Sequence, residues 1–133
     1  MTTPITLKKE DGPADLDGVT KLEIGVSWDP TAGSSGGLMG ALRREVGTDL
    51  DLIAILMQGN DPVRLAGLDS LDPIGNGSVS HSGDNQTGKG VGDDETVTVD
   101  FARVPANVTA VTFVAAAYKK GSSFQKARNI SFK

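Results

Sequence analysis

Residues 48–57 read TDLDLIAILM, the most hydrophobic run of the chain. Successive side chains of a β-strand point to opposite faces, so this segment is apolar on both faces beyond its first residues. Such a segment is typical of a strand that is buried on both sides, and a buried strand needs other elements to cover it. The run therefore predicts a β-rich domain with this strand in its core.

Other segments with period-two alternation lie on both sides of this run. They are, in chain order, KLEIGVSWD at 21–29, TVTVDF at 96–101, TAVTFVAAAY at 109–118 and NISFK at 129–133. We predict that Trp28 anchors the core and that Val97, Val99 and Phe101 point inward. The turn signals GNDP and GNG predict a hairpin or loop around residues 63–71.

This pattern of elements predicts an all-β fold. About six or seven short β-segments with turns between them, and no alternation with helices, are typical of a two-sheet antiparallel β-sandwich. A length of 133 residues fits one domain. In such a sandwich the loops cluster at the two ends, so residues that are distant in sequence can meet there.

Two carboxylates stand at the start of the buried strand. Asp49 and Asp51 are two residues apart, so they share one face and lie about 6.7 Å apart along the strand. Carboxylates that point the same way at the end of a buried strand need a reason. Coordination of a cation is the favoured interpretation, and a frayed polar strand end is the alternative.

The segment from 81 to 95, HSGDNQTGKGVGDDE, is rich in oxygen donors and poor in apolar side chains. Its glycines allow positive φ and let carbonyl oxygens turn inward, while its acids supply charge. Calcium takes about six to eight oxygen ligands without strict geometry, and without a cation the three carboxylates at 93–95 would repel one another. We predict one or two calcium ions here, at one end of the sandwich. The candidate site residues are Asp29, Asp49, Asp51, Asp84, Asn85, Gly88, Gly90, Gly92, Asp93, Asp94 and Glu95.

The composition narrows the class of protein. A net charge of −4 argues against a nucleic-acid partner, since phosphate binding needs a basic surface. No run of about 18 apolar residues is present, and residues 1–30 lack the apolar core of a secretory signal, so we expect a cytoplasmic protein. The lack of cysteine excludes thiolate sites, and the single histidine, His81, excludes a multi-histidine zinc site. We expect His81 to be a loop residue that hydrogen-bonds the backbone.

Enzyme classes fit this sequence less well than a binding protein. Paired carboxylates such as Asp49 and Asp93 could serve acid/base or two-metal hydrolysis. However, the sequence has no Gly-x-Ser-x-Gly motif, no P-loop and no second histidine to pair with Ser80 or Ser82. EF-hand spacing is also absent, and magnesium prefers fewer protein ligands. We therefore expect no catalysis. A calcium-dependent adaptor that binds acidic lipid or a protein partner remains open beside a purely structural ion.

Four stretches resemble the TerD family of tellurium-resistance and stress-response proteins. They are GVSWD at 25–29, TDLDLIAILM at 48–57, GSVSHSGDNQTGKGVGDDETVTVDFARVP at 77–105 and VTAVTFVAAAY at 108–118. The resemblance covers roughly residues 19–133 and is weak over the first 18. It implies a calcium-binding β-sandwich, with ligands at Asp49, Asp51 and the 84–95 loop, that acts in stress tolerance with other stress-response proteins as candidate partners.

Two features depart from the family pattern. The link at 30–47 is longer and richer in glycine than is usual in the family, and the chain stops at Lys133 where the familiar domain continues through further strands. Missing strands would leave an exposed sheet edge, and such edges pair readily with another chain. We therefore expect self-association through that edge.

Overall fold

A computed structural model describes residues 9–29, 49–85, 92–118, 120 and 122–133. The link at 30–47 and the predicted ligands Gly88 and Gly90 lie outside the described residues. The strands are β1 (Lys21–Asp29), β2 (Asp51–Gln58), β3 (Asp61–Ala66), β4 (Val79–His81), β5 (Glu95–Asp100), β6 (Ala110–Ala116) and β7 (Arg128–Phe132). Two short 3-10 helices cover Lys9–Asp11 and Phe124–Lys126.

The strands form two antiparallel sheets. One sheet has four strands in the order β4-β5-β1-β7, and the other has three in the order β3-β2-β6. Their buried side chains form one shared core, which confirms the prediction of an all-β, two-sheet antiparallel sandwich. Within the described ranges, no helix is long and apolar enough to cross a membrane.

Strand β2 supplies one wall of the core, as its sequence predicts. Its buried face carries Leu52, Ala54 and Leu56, and Leu50 extends this face just before the strand begins. All four residues are 1% exposed or less. Val26 and Trp28 of β1 pack against this face from the opposite sheet, so the role of Trp28 as a core anchor is confirmed. Burial of this apolar surface is the main force that holds the two sheets together.

Strand β3 follows β2 as a hairpin whose turn lies at the GNDP signal, in the region where the sequence predicts a hairpin or loop. The turn lies at Gly59 and Asn60, and Gly59 has a positive φ of 60°. The residue pairs of this hairpin run from Gln58 with Asp61 back to Ala54 with Ala66. In the described part of the chain, β3 therefore does not reach the start of β2.

The prediction that Phe101 points inward is wrong. Strand β5 ends at Asp100, whose pairing with Lys21 is the last of the β1–β5 ladder. The chain then turns, because the Asp100 carboxylate accepts a hydrogen bond from the Ala102 N–H and the Asp100 carbonyl accepts hydrogen bonds from the N–H groups of Arg103 and Val104. Phe101 leaves the strand alternation at this turn and is 41% exposed. Ile130 on β7, at the end of its sheet, is likewise 40% exposed.

Candidate metal centre

Three carboxylates converge at one end of the sandwich. Oxygen atoms of Asp49, Asp51 and Asp84 all lie within 4.8 Å of one another. Asp49 and Asp51 are 5% and 2% exposed at the start of β2, whereas Asp84 is exposed in the segment that follows β4. The predicted meeting of the strand start and the acidic loop is therefore present, with Asp84 as the loop's contribution.

Asp51 is the most constrained member of this group. Among the described residues, its Oδ1 atom is buried and accepts no hydrogen bond. Burial first, and then the charges of Asp49 and Glu95, raise the pKa of Asp51 from 3.8 to about 6, although a hydrogen bond from the Tyr118 backbone N–H acts in the opposite direction. A buried carboxylate oxygen without a donor is costly unless a cation takes that place.

The segment after β6 frames the other side of these two acids. The backbone N–H of Asp49 donates to Ser122 Oγ at 3.0 Å, and the Tyr118 N–H donates to the Asp51 carboxylate. The pairing of Asp51 with Ala116 brings this segment alongside β2. Tyr118 and Ser122 could not be found from the sequence, because both contacts depend on the strand register and the contact of Tyr118 uses only its backbone.

Glu95 and His81 form a buried pair beside the three carboxylates. Both side chains are fully buried, and Glu95 Oε2 lies 3.4 Å from His81 Nε2. Glu95 Oε2 accepts a hydrogen bond from the Leu52 N–H at 2.7 Å, and Oε1 accepts one from the Asn85 N–H at 3.0 Å. Glu95 was predicted as a ligand, but in this structure its oxygens bind backbone N–H groups.

His81 lies in β4 and not in a loop, although it hydrogen-bonds the backbone as predicted. Its Nε2 is 2.7 Å from the Leu52 carbonyl oxygen, and the Gly83 N–H donates to its Nδ1 at 2.9 Å. The bond from Gly83 requires a lone pair on Nδ1, so the neutral ring carries its proton on Nε2. The Glu95 carboxylate raises the pKa of His81 above its ordinary value, against the opposing effect of burial.

Asp94 and Asn85 hold the loop against β1. Asp94 Oδ2 accepts a hydrogen bond from the Trp28 N–H at 2.8 Å, and its Oδ1 accepts one from Asn85 Nδ2 at 3.1 Å. The Asp94 N–H itself donates to the Val26 carbonyl at 2.8 Å. Both residues were predicted as ligands, and here they connect the acidic loop to the end of β1.

Two further predicted acids, Asp93 and Asp29, are not part of the group of three carboxylates found among the described residues. Asp93 covers Gly25, where an added Cβ would come within 2.5 Å of the Asp93 Cγ, and its Oδ1 is 3.4 Å from Lys133 Nζ. Gly25 alternates with Val26, so Asp93 lies on the outer face of β1. Asp29 Oδ2 accepts a hydrogen bond from Asn129 Nδ2 at 2.6 Å. Gly92 has a positive φ of 95°, which suits glycine.

This arrangement has the chemistry of a hard-cation site. It offers carboxylate oxygens from two chain segments, one of them buried without a hydrogen-bond donor among the residues described. Carboxylates within 4.8 Å of one another repel strongly when all are charged, and a divalent cation removes that repulsion. The residues present therefore fit a calcium-type ion.

Comparisons with known proteins agree with this fold. Residues 5–133 match the family model described as the TerD domain. The chain is 35% identical over 131 residues to the tellurium resistance protein TerZ of Serratia marcescens, covering 94% of the chain and 61% of that protein. It is 37% identical over 107 residues to the stress response protein SCP2 of Bacillus subtilis (strain 168), covering 76% of the chain and 52% of that protein.

A crystal structure has the same fold. It is that of a homologue of telluride resistance protein (TerD) from Streptomyces coelicolor A3(2), with a TM-score of 0.66 at 20% identity, covering 86% of this chain and 64% of that one. The chain thus spans about half to two thirds of the length of each of these three proteins.

Proposed function

This chain belongs to the TerD domain family, and from that premise we propose that Asp49, Asp51 and Asp84 bind a calcium ion in a protein of tellurium resistance or stress response. The two named relatives supply the stress context, and the three carboxylates supply the ion site. The ion would neutralise the cluster and join the start of β2 to the segment after β4.

The observation that carries this proposal is the Asp51 carboxylate. Its Oδ1 is buried and lacks a hydrogen-bond donor within the described residues, and its pKa is raised to about 6 by burial and neighbouring acids. A group in this state destabilises the fold at neutral pH unless a positive charge compensates it. A divalent cation bound by the three acids would supply that positive charge.

Calcium is favoured over other metals by the donor atoms. All three side chains offer carboxylate oxygen, which suits calcium and magnesium, whereas zinc prefers nitrogen and sulfur ligands. His81 is the single histidine of the chain, and both of its ring nitrogens are already hydrogen-bonded to the backbone. Calcium accepts more protein oxygens and looser geometry than magnesium, which suits a group of carboxylates drawn from two chain segments.

We propose a binding role and no catalysis for this centre. A serine nucleophile needs a base within hydrogen-bond reach. Ser82 Oγ instead accepts the Thr96 N–H at 2.9 Å, and the adjacent His81 bonds to Leu52 and Gly83. These contacts support a histidine and a serine that hold the backbone and do not activate a substrate.

A second candidate role is calcium-dependent attachment to an acidic lipid surface. Tyr118 is 80% exposed, and its backbone N–H binds the Asp51 carboxylate, so an aromatic side chain stands at the rim of the proposed ion site. Aromatic side chains suit the interface between water and lipid, and a bound cation would reduce the repulsion from anionic headgroups. Co-sedimentation with phosphatidylserine vesicles should then require calcium and should fall in Tyr118→Ser. Equal pelleting with calcium and with chelator would reject this role.

Calorimetric titration of chelator-stripped protein with calcium and with magnesium tests the main proposal. We expect saturable calcium binding that is tighter than magnesium binding and is lost in Asp51→Asn. Asp17→Asn is the matched control, because Asp17 is exposed near the start of the chain and should leave binding unchanged. Wild-type protein that takes up no calcium, or equal losses in both variants, would refute the site.

A further inference from the structure

We propose that Glu95, with His81, is a positioning residue for the ion site: it fixes the backbone beside Asp51 and Asp84 and does not itself bind the ion. This inference rests on the proposed calcium site. Glu95 follows Asp93 and Asp94 in the segment that the sequence predicts to supply ligands, and its role differs from theirs.

Glu95 and His81 replace a missing strand at the start of β2. The hairpin pairs of β3 reach only to Ala54, so in the described structure β3 does not cover the edge of β2 at Leu52. There the Leu52 N–H donates to Glu95 Oε2 at 2.7 Å, and the Leu52 carbonyl lies 2.7 Å from His81 Nε2. Two side chains thus make the pair of bonds that a neighbouring strand would make. Leu52 directly follows Asp51, so these bonds hold the Asp51 backbone in place.

The second oxygen of Glu95 acts on the other segment of the site. Its Oε1 accepts the Asn85 N–H at 3.0 Å, and Asn85 directly follows Asp84. One carboxylate therefore joins the residue after Asp51 to the residue after Asp84, through one oxygen each. His81 supports the same segment, because the Gly83 N–H donates to its Nδ1.

Two observations separate Glu95 from the ligand set. Its side chain is fully buried with a close N–H donor on each oxygen, so both oxygens are already compensated without an ion. It also lies outside the described group of acids whose oxygens are all within 4.8 Å of one another. Asp51, by contrast, keeps a buried oxygen without a donor.

Glu95→Gln tests this assignment with minimal change in shape. Glutamine offers one acceptor and one donor group where glutamate offers two acceptors, so either the Leu52 N–H or the Asn85 N–H would face another N–H. Loss of a residue that orients metal ligands typically weakens metal affinity by about 10–100-fold. Glu23→Gln is the matched control, because Glu23 is exposed on β1.

Two measurements distinguish positioning from coordination. Calorimetry gives the Kd for calcium, and the difference in Eu³⁺ luminescence decay between H₂O and D₂O counts the water molecules on the bound ion. For Glu95→Gln we expect a calcium Kd that is weaker by about 10–100-fold, with the same number of bound waters as wild type. Glu23→Gln should match wild type in both measurements.

An increase in the number of bound waters in Glu95→Gln would overturn the proposal, because it would make Glu95 a ligand. A calcium Kd within about twofold of wild type would overturn it as well, since loss of a residue that orients the ligands should weaken calcium binding by at least about tenfold. If Glu95→Gln does not fold, His81→Gln provides the test, and it should also weaken calcium binding with unchanged hydration. Unchanged affinity in that variant would reject the shared role. If the proposed calcium site itself does not exist, wild-type protein will bind neither calcium nor Eu³⁺. That result differs from every outcome that concerns Glu95 alone.

Discussion

Asp51→Asn should change the stability of the protein in opposite directions with and without calcium. Folding raises the pKa of Asp51 from 3.8 to about 6, so the folded state holds the proton more tightly than the unfolded chain does. The free energy of unfolding of the metal-free protein therefore falls as the pH rises through this window and remains reduced above it. Asparagine carries no charge and avoids this loss.

The size of the effect follows from the two pKa values. A difference of about two pKa units corresponds to about 3 kcal/mol at pH 7.5 and about 1 kcal/mol at pH 4.5. Asp51→Asn should therefore stabilise the metal-free protein by up to about 3 kcal/mol at pH 7.5, and by much less at pH 4.5. Wild-type protein should instead gain about 2.7 kcal/mol when calcium is present at 100 times its Kd, and the variant should gain little.

Urea denaturation of metal-free and calcium-loaded protein at the two pH values measures both effects. Asp17→Asn serves as the control and should show neither the pH-dependent gain nor a loss of stabilisation by calcium. If Asp51→Asn destabilises the metal-free protein at pH 7.5, Asp51 does not carry an uncompensated charge. If the variant keeps the full calcium stabilisation, Asp51 does not contribute to the site.

Three further predictions address the pH dependence, the core and the outer face of β1. Calcium binding should weaken by up to about tenfold per pH unit below about pH 6, because Asp51 must lose its proton to bind, and a pH-independent Kd between pH 5 and 7 would contradict this. Leu56→Ala should lower the free energy of unfolding by about 2–5 kcal/mol in urea, whereas Leu65→Ala, at an exposed position, should cost much less. Gly25→Ala should cost about 1–3 kcal/mol, because the new methyl group would meet the Asp93 carboxylate, and Gly25→Ala in an Asp93→Ala background should recover most of that loss.

The strands and the core could be predicted because they depend on local alternation. Trp28 and the leucines of β2 are buried as their spacing predicts, since one apolar face must leave water whatever its partner is. The prediction failed at Phe101, where hydrogen bonds to Asp100 end the strand one residue early. The alternation of apolar residues does not indicate where the pairing of a strand ends, because that end depends on the partner strand.

The sequence also located the acids of the site without assigning their tasks. It placed Asp49 and Asp51 at a strand start and Asp84 in the facing loop, and the structure brings these three together. It could not indicate that Ser122 and Tyr118 would frame them, because residues far apart in the chain meet only after the sheets have formed.

The amino-acid sequence by itself determined that this chain forms a two-sheet β-sandwich with carboxylates at the ends of its strands. Only the tertiary structure decided which carboxylates meet. Asp93, Asp94 and Glu95 are adjacent in sequence, yet Asp93 pairs with Lys133, Asp94 binds the Trp28 backbone and Glu95 binds the Leu52 backbone. The physical reason is that neighbouring side chains at the start of a strand point in different directions, and each carboxylate binds the donor that the adjacent strand presents to it.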